Sequence, residues 1–195
     1  MAPNLTLVYF PVRARGEVPR IIMAYGDIPY TDNNCRQYFG CSFLTAKTSG
    51  KLPFGQLPVL AVDDTLISQS GAINRYLASL VSKPDFLPKD PVKAAQADAL
   101  HETAEDLSKI MPIVNILTGD EKQEKEEYLK TNYSPLNMEK EEYFSKTLPA
   151  KLPALVKMLG DQSFYCGDAP TYADFSIYTV MDLVRLYTVH MYCTI

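Results

Sequence analysis

The sequence predicts a protein of two parts, an N-terminal α/β domain followed by an all-helical domain. Three observations support this prediction: strand-like alternation occurs before residue 82, helical periodicity dominates after residue 91, and the ten residues between them contain three prolines. Because a proline-rich stretch is typical of a linker, we expect an α/β domain over residues 1–81, a linker over 82–91 and a helical domain over 92–195.

The composition excludes several classes of protein. The hydrophobic fraction of 47% is ordinary for a chain that buries a core, and the net charge of −4 comes without a basic stripe, which argues against a nucleic-acid partner. The apolar runs are too short to cross a bilayer, so we expect no membrane partner. The N-terminus lacks a secretory signal pattern, and the four cysteines form no C-x-x-C pair and no metal spacing with the two histidines. We therefore expect a cytoplasmic protein with reduced thiols and no metal site.

The N-terminal elements follow the order β-α-β, loop, β-β-α. Alternation, apolar spacing and the turn at Asp63-Asp64 predict strands at 4–10, 28–31, 57–62 and 65–68, and helices at 17–26 and 70–81. Residues 32–51 are expected to form a loop with one short helix. This order of elements is typical of a thioredoxin-like module.

The second part is expected to contain helices at 92–117, 143–159 and 175–187. Pro112 should kink the first of these helices, and Pro149 and Pro153 should interrupt the second. Thr171-Tyr-Ala-Asp174 resembles a capping box at the start of the third, which gives Asp174 a structural role. The segment 124–131 recurs in similar form at 139–147, and we interpret the repeat as a charged, solvated insertion rather than a binding element.

Four motifs follow one another along the chain: Leu5-Thr-Leu-Val-Tyr-Phe10 with Arg13-Ala-Arg-Gly-Glu17 and Arg20, Leu52-Pro-Phe-Gly-Gln-Leu-Pro58, Gln69-Ser70, and Thr171-Tyr-Ala-Asp-Phe175. Together they resemble the motifs of cytosolic glutathione transferases, and of the sigma class in particular. The resemblance implies a thioredoxin-like domain followed by a helical bundle. It also implies a homodimer that uses glutathione as co-substrate and no other cofactor.

The resemblance assigns catalysis to Tyr9, supported by Arg15. A free thiol has a pKa of about 8.5, and a hydroxyl that donates a hydrogen bond to the thiolate lowers that pKa. The alternative for Tyr9 is a tyrosine that only packs across a sheet. Arg13 and Arg20 compete with Arg15 for the supporting role.

The same resemblance implies four residues that bind the γ-glutamyl and cysteinyl parts of glutathione. Pro58 is expected to follow a cis peptide bond, which leaves the backbone of Leu57 facing outward to pair with the peptide like an added strand. Gln69 and Ser70 open a helix whose first N–H groups suit a carboxylate. The alternatives are a trans proline at the start of a strand and a serine that only caps its own helix.

The remaining predicted contacts concern the glycine end of glutathione and the partner subunit. Phe43 and Lys47 have the spacing of a W-x-x-x-K pair, although the chain contains no tryptophan, and a loose surface loop is the alternative. Gln56 stands where a lysine or glutamine contacts the glycine end. Asp98 matches an aspartate that reaches the glutathione of the partner subunit, the alternative being a solvated helix face.

The leading prediction of function is a glutathione transferase that conjugates glutathione to small hydrophobic electrophiles held by Phe10, Arg15 and Met111. The alternatives are a non-catalytic, crystallin-like binding or structural protein and a glutathione-dependent isomerase or peroxidase. A thiol–disulfide oxidoreductase is disfavoured because no cysteine begins the first helix. The chain stops at Ile195, earlier than is usual in the family, so we expect a shortened helical domain with an apolar patch exposed near its end, formed by Leu186, Val189, Met191 and Tyr192.

Overall fold

A computed structural model describes residues 3–110 and 142–192. Its strands form a mixed four-stranded sheet in the order β2-β1-β3-β4. The strands are β1 (Leu5–Val8), β2 (Thr31–Asn33), β3 (Val59–Val62) and β4 (Thr65–Ser68). Strand β1 runs parallel to β2 and antiparallel to β3, and β3 and β4 form an antiparallel hairpin.

Four helices accompany the sheet: α1 (Ala14–Tyr25), α2 (Cys35–Phe39), α3 (Phe43–Thr48) and α4 (Ser70–Leu80). Helix α1 is the crossover between the parallel strands, as a β-α-β unit requires. It buries Val18, Ile22 and Met23, while α4 buries Ile73 and Leu77 in the same core. The domain is thioredoxin-like, which confirms the predicted fold class for this part of the chain.

Helix α1 begins at Ala14, three residues before its predicted start, and two other predicted segments of this part differ more from the structure. The second strand lies at Thr31–Asn33 rather than 28–31, because the N–H of Ile28 bonds to the carbonyl of Met23 at the end of α1 and pairing with β1 begins only at Thr31. The predicted loop contains two short helices instead of one. Asn34 caps the first through a capping box with Gln37, and Ser42 caps the second.

The helical part contains α5 (Pro91–Ile110), a π-helical turn (Tyr143–Thr147), α6 (Leu148–Leu159) and α7 (Tyr172–Tyr192). Pro149 has no N–H to donate to the preceding turn, and the π-helical turn lies directly before this proline-containing start of α6. Helix α7 starts three residues earlier than predicted. The predicted kink at Pro112 and most of the repeat lie outside the described residues, as do the side chains of the predicted apolar patch near Ile195.

Helices α5 and α7 pack against each other, and α7 also contacts α1 and α4. One hydrophobic core runs from the sheet into the helical part and includes Phe86 of the predicted linker, which is fully buried. The carbonyl of Phe86 accepts a hydrogen bond from the N–H of Tyr172 at 3.3 Å. The linker is therefore held against α7, and the domain boundaries at 81 and 92 stay a prediction. None of the described helices has the length and apolarity that a bilayer crossing demands.

Candidate active site

A pocket opens where the segment before β3 meets the end of β4 and the start of α4. We call it the β4–α4 pocket. It is lined by Arg15, Phe54, Gln56, Leu57, Pro58, Ser68, Gln69 and Ser70. Six of the ten predicted site residues are in this lining, although they come from three separate parts of the chain.

Two backbone features shape the β4–α4 pocket. The peptide bond between Leu57 and Pro58 is cis, as the resemblance implies. Gln69 has a φ of 73°, in a region that non-glycine residues rarely adopt, and precedes the first residue of α4. Such a conformation at a pocket wall is common where a ligand binds. The first N–H groups of any helix lack intrahelical acceptors, so the start of α4 at Ser70 offers a favourable place for an anion.

Tyr9 follows the last residue of β1, and its ring is almost fully buried. Its N–H donates to the carbonyl of Asn33 at 2.9 Å, which ties it to the end of β2. The ring packs edge-on against Phe10, with ring centres 5.7 Å apart, and Phe10 packs in turn against Phe43 at 5.3 Å. Tyr9 itself is not in the lining of the β4–α4 pocket, but it lies beside β3, the strand that leads out of Pro58.

The three arginines that could support Tyr9 have different contacts in the structure. Arg13 pairs with Asp182 of α7 at 2.6 Å and with Glu17 at 3.2 Å. Arg20 pairs with Asp32 at 2.6 Å. Arg15 is the one of the three that lines the β4–α4 pocket. The position of Arg15 at the pocket depends on contacts between distant segments, which the sequence pattern did not contain, and its role beside Tyr9 stays a prediction.

Arg20 holds the loop that follows Tyr9. Its guanidinium donates to the carbonyls of Val12 at 2.7 Å and Phe10 at 3.3 Å. Burial is the largest single effect and disfavours the charged guanidinium. The hydrogen bond to Asp32, together with the negative charges of Asp32 and Glu17 and the nearby Tyr30, outweighs burial, so the pKa of Arg20 is raised above its usual range. Arg20 is therefore a permanent cation under this loop, and sequence reasoning had named it only as a competitor of Arg15.

A second pocket, with apolar and polar residues in equal number, lies behind Arg15, between α1, α5 and α7. It is lined by Ala14, Arg15, Val18, Ala104, Glu105, Ser108, Ser176, Thr179, Val180 and Leu183. Arg15 thus lines both pockets. Of the residues predicted to hold an electrophile, Phe10 is half-buried against Phe43, and Met111 lies outside the described residues.

Phe43 and Lys47, both on α3, have different surroundings. Phe43 is buried in a cluster with Tyr9 and Leu57 and is not in the lining of the β4–α4 pocket. The methylene stem of Lys47 lies beside Gly55, since a Cβ at that glycine would be 3.3 Å from its Cγ. Gly55 stands between two lining residues, so Lys47 is at the rim of the pocket.

Asp98 forms contacts within its own chain. Its carboxylate pairs with Arg75 of α4 at 3.0 Å and accepts a short hydrogen bond from the hydroxyl of Tyr172. Burial, followed by this hydrogen bond, raises the pKa of Tyr172. Asp98 therefore joins α4, α5 and α7, and its predicted contact with a partner subunit remains a prediction.

Two residues of the β4–α4 lining were not predicted. Ser68 ends β4 directly before Gln69, and Phe54 belongs to the Leu52–Pro58 motif. Ser68 is adjacent to the predicted Gln69, and Phe54 lies inside a motif that contains three predicted residues. Closeness to a motif is the signal that could have found them.

The fold and pocket define a class of protein in which a thioredoxin-like domain presents a cis-proline segment and a helix start beside an all-helical domain. Comparison with known proteins identifies the family. Residues 3–79 match the glutathione S-transferase N-terminal domain, and residues 105–193 match the glutathione S-transferase C-terminal domain.

Individual relatives agree. The chain is 34% identical over 177 residues to hematopoietic prostaglandin D synthase of Mus musculus, covering 89% of this chain and 75% of that protein. It is 31% identical over 181 residues to glutathione S-transferase 1 of Ascaris suum, covering 90% and 77%. The solved structure of rat hPGDS complexed with a quinoline superposes with a TM-score of 0.64 at 32% identity, covering 89% and 76%. The chain therefore belongs to the glutathione S-transferase family, whose enzymes use glutathione as co-substrate and need no metal or prosthetic group.

Proposed function

We propose that this protein is a sigma-type glutathione transferase that conjugates the thiolate of glutathione to small hydrophobic electrophiles. One observation supports this most strongly. Arg15, Leu57, Gln69 and Ser70 meet at one pocket, and Tyr9 directly follows the neighbouring strand β1. Each group suits a different part of the tripeptide.

Glutathione binding follows from the chemistry of the β4–α4 pocket. The γ-glutamyl carboxylate lies at the start of α4, near Gln69 and Ser70, where N–H groups and the helix dipole favour an anion. The backbone of Leu57 pairs with the cysteinyl part as an added strand does. Lys47 and Gln56, at the rim, face the glycine carboxylate.

Activation of the thiol is the role of Tyr9, with Arg15 as a nearby cation. A charge-assisted hydrogen bond contributes roughly 1.5–3 kcal/mol, which lowers a thiol pKa by about one to two units. At pH 7 the thiolate fraction then rises from about 3% to roughly 25–75%, starting from a pKa of about 8.5. The thiol proton passes to solvent, the sulfur forms the new bond to carbon, and the leaving group departs with its electron pair.

The pocket between α1, α5 and α7 supports an apolar acceptor. It shares Arg15 with the β4–α4 pocket, and half of its lining residues are apolar: Ala14, Val18, Ala104, Val180 and Leu183. An electrophile with an apolar body is therefore held beside the sulfur.

Conjugation of an aryl halide, compared between wild type and Tyr9→Phe, tests the mechanism. We expect kcat/KM at pH 7 to fall about 10–100-fold, because the hydrogen bond to the thiolate is lost. The matched control is Tyr178→Phe, an exposed tyrosine on α7 that should leave the rate unchanged. Equal rates in wild type and Tyr9→Phe would remove Tyr9 from the mechanism.

Glutathione binding separates an enzyme from a crystallin-like structural protein. Calorimetric titration should give a saturable heat with one site per chain. No detectable binding would end the transferase proposal and favour the structural alternative.

A glutathione-dependent lipid isomerase is the second candidate. The observation that favours it is the identity of 30–34% to proteins named hematopoietic prostaglandin D synthase. Conjugation consumes one glutathione per product, whereas isomerisation consumes none. Glutathione measured against product, with an aryl halide and with a lipid endoperoxide, distinguishes the two.

We further propose a cytoplasmic homodimer in which Asp98 approaches the glutathione of the partner. The exposed half of the Asp98 side chain supports this, because its pairing with Arg75 leaves part of the carboxylate accessible. Analytical ultracentrifugation of wild type tests the dimer, and a monomer at all concentrations would contradict it.

A further inference from the structure

Gly16, in the first turn of α1, lies directly against the ring of Tyr9. A Cβ built at Gly16 would be 2.3 Å from Cδ1 of Tyr9, 2.9 Å from Cγ and 3.1 Å from Cε1. Carbon atoms in contact are separated by about 3.5–4.0 Å, so the ring occupies the space of the missing side chain. Gly16 is not among the glycines with positive φ, so space rather than backbone conformation demands glycine here.

Arg20 lies one helical turn further along the same face of α1. The carbon of its guanidinium is 6.0 Å from the centre of the Tyr9 ring. It also bonds the carbonyls of Phe10 and Val12 and the carboxylate of Asp32. Gly16 and Arg20 together form a surface on α1, the tyrosine seat, which contacts the ring and fixes the backbone that follows it.

We infer that Gly16 and Arg20 are positioning residues that place the hydroxyl of Tyr9 at the sulfur of glutathione. This inference rests on the proposed function, in which Tyr9 donates to the thiolate. A methyl group at Gly16 displaces the ring by about 1 Å, from the 2.3 Å approach to an ordinary contact. A displacement of that size lengthens a hydrogen bond of about 2.7 Å beyond its useful range. Neither residue needs to touch glutathione for this effect.

The test is the pH dependence of aryl halide conjugation by Gly16→Ala. We expect the apparent pKa of the bound thiol to rise toward about 8.5, the value of the free thiol, with kcat/KM at pH 7 about tenfold lower. The KM for glutathione should stay within about twofold, because the β4–α4 pocket is untouched. A purely structural defect would lower the amount of active enzyme without moving the pH profile.

Gly26→Ala is the matched control. A Cβ there would also be too close to its neighbours, 2.9 Å from Cγ2 of Val81 and 3.0 Å from Cδ1 of Ile28, but at the opposite end of α1 from Tyr9. The Gly26→Ala variant therefore measures the effect of a steric overlap in α1 that does not involve Tyr9. Its pH profile of conjugation should match that of wild type. A profile shifted as far as that of Gly16→Ala would overturn the inference.

Tyr9→Phe and the double variant separate the two proposals. An unchanged profile in Tyr9→Phe contradicts the proposed function, and the tyrosine seat with it. A shift in Tyr9→Phe but not in Gly16→Ala overturns only the role of Gly16. In Tyr9→Phe the addition of Gly16→Ala should cause no further shift, because the hydroxyl it displaces is already absent.

Arg20→Lys is a second test of the tyrosine seat, which can be used if Gly16→Ala does not fold. Lysine keeps the positive charge but loses the forked contacts to Phe10 and Val12. We expect the apparent pKa of the bound thiol to rise as in Gly16→Ala, while the circular dichroism spectrum stays unchanged. A wild-type profile in Arg20→Lys would remove Arg20 from the seat.

Discussion

Ala14, the first residue of α1, has a φ of 33°, which L side chains rarely adopt. Its side chain is nonetheless buried, in the cluster that contains Tyr9. A non-glycine residue in such a conformation costs about 1–3 kcal/mol and is typical of functional sites. The strain lies between Tyr9 and Gly16, at the start of α1, directly after the loop whose carbonyls accept hydrogen bonds from Arg20.

Replacing Ala14 with glycine should therefore stabilise the protein. Relief of the strain exceeds the backbone entropy that glycine loses on folding, and we expect the free energy of unfolding to rise by about 1 kcal/mol. Ala24→Gly, at an exposed position with helical backbone on the same helix, is the matched control and should lose about 1 kcal/mol. Urea unfolding of both variants measures this, and a loss in both would mean that Ala14 is not strained.

The residues of the β4–α4 pocket show how far motifs could predict the site. Leu57, Gln69 and Ser70 were predictable because each stands inside a short motif whose backbone conformation is local. Phe43 was chosen by spacing alone, and the structure buries it against Phe10. Gly16 was quoted in a motif but given no role, because its contact with Tyr9 exists only after α1 folds back on β1.

At the scale of elements, the start of α7 depends on Asp174. Its carboxylate accepts hydrogen bonds from the N–H and hydroxyl of Thr171, both at 2.8 Å, and from the N–H of Tyr165 at 2.9 Å. It reaches back to the N-cap residue as the acidic member of a capping box does. The hydrogen bond from Tyr165 also ties the preceding loop to the helix. Tyr165 lies nine residues before Asp174, so the four-residue motif could not indicate this contact.

Asp174→Ala should lower the free energy of unfolding by about 2–3 kcal/mol, because three donors lose their acceptor. Glutathione affinity should not change, since Asp174 is outside both pocket linings. Asp161→Ala, at an exposed position after α6, is the control and should stay within about 0.5 kcal/mol of wild type. Thermal unfolding measures the stability of the two variants, and calorimetric titration measures their affinity for glutathione. A weakened affinity in folded Asp174→Ala would contradict a purely structural role.

The long, periodic helices and the β3–β4 hairpin were predicted, whereas β2 was misplaced and only one of the two short helices α2 and α3 was expected. Helices α4, α5 and α7 repeat apolar residues at helical spacing, so local pattern and burial agree. Strand β2 has three residues, exposed or half-buried, and owes its position to pairing with β1. Such a strand carries too little pattern for its register to be found before its neighbour is known.

At the scale of the whole molecule, buried polar groups join the sheet domain to the helices. Arg13 reaches Asp182 of α7, and the pKa of Asp182 is lowered by hydrogen bonds from Arg185 and then Arg13, against the effect of burial. His101 of α5 is fully buried and shares a 2.8 Å hydrogen bond between its Nδ1 and the hydroxyl of Ser176 on α7. Its Nε2 faces Gly71 of α4.

Burial lowers the pKa of His101 below the ordinary value of about 6.5, although Glu105, Glu102 and Asp98 oppose this and Arg75 assists it. His101 is then neutral in the folded protein, while the unfolded chain takes up a proton below about pH 6.5. The unfolded state binds more protons in that range, so stability is complete above pH 6.5 and falls as the pH decreases toward the folded pKa.

His101→Gln should flatten this part of the stability curve. Glutamine keeps a polar group near Ser176 but does not titrate, so the variant should lose less stability than wild type as the pH falls below about 6.5. Denaturant unfolding at a series of pH values measures the difference. Parallel curves for the two proteins would show that His101 does not contribute.

The sequence by itself determined the fold class, the order of the long elements and the segments that form the candidate site. The fold class and the elements depend on local backbone preferences and apolar periodicity, and the site segments were found through short motifs that resemble those of a known family. All of these are present in the chain before it folds. Only the tertiary structure decided which arginine lines the pocket, that Phe43 is buried, that Asp98 pairs with Arg75, and that Gly16 makes room for Tyr9. Each of these is a contact between segments, and a contact depends on where both partners lie in space.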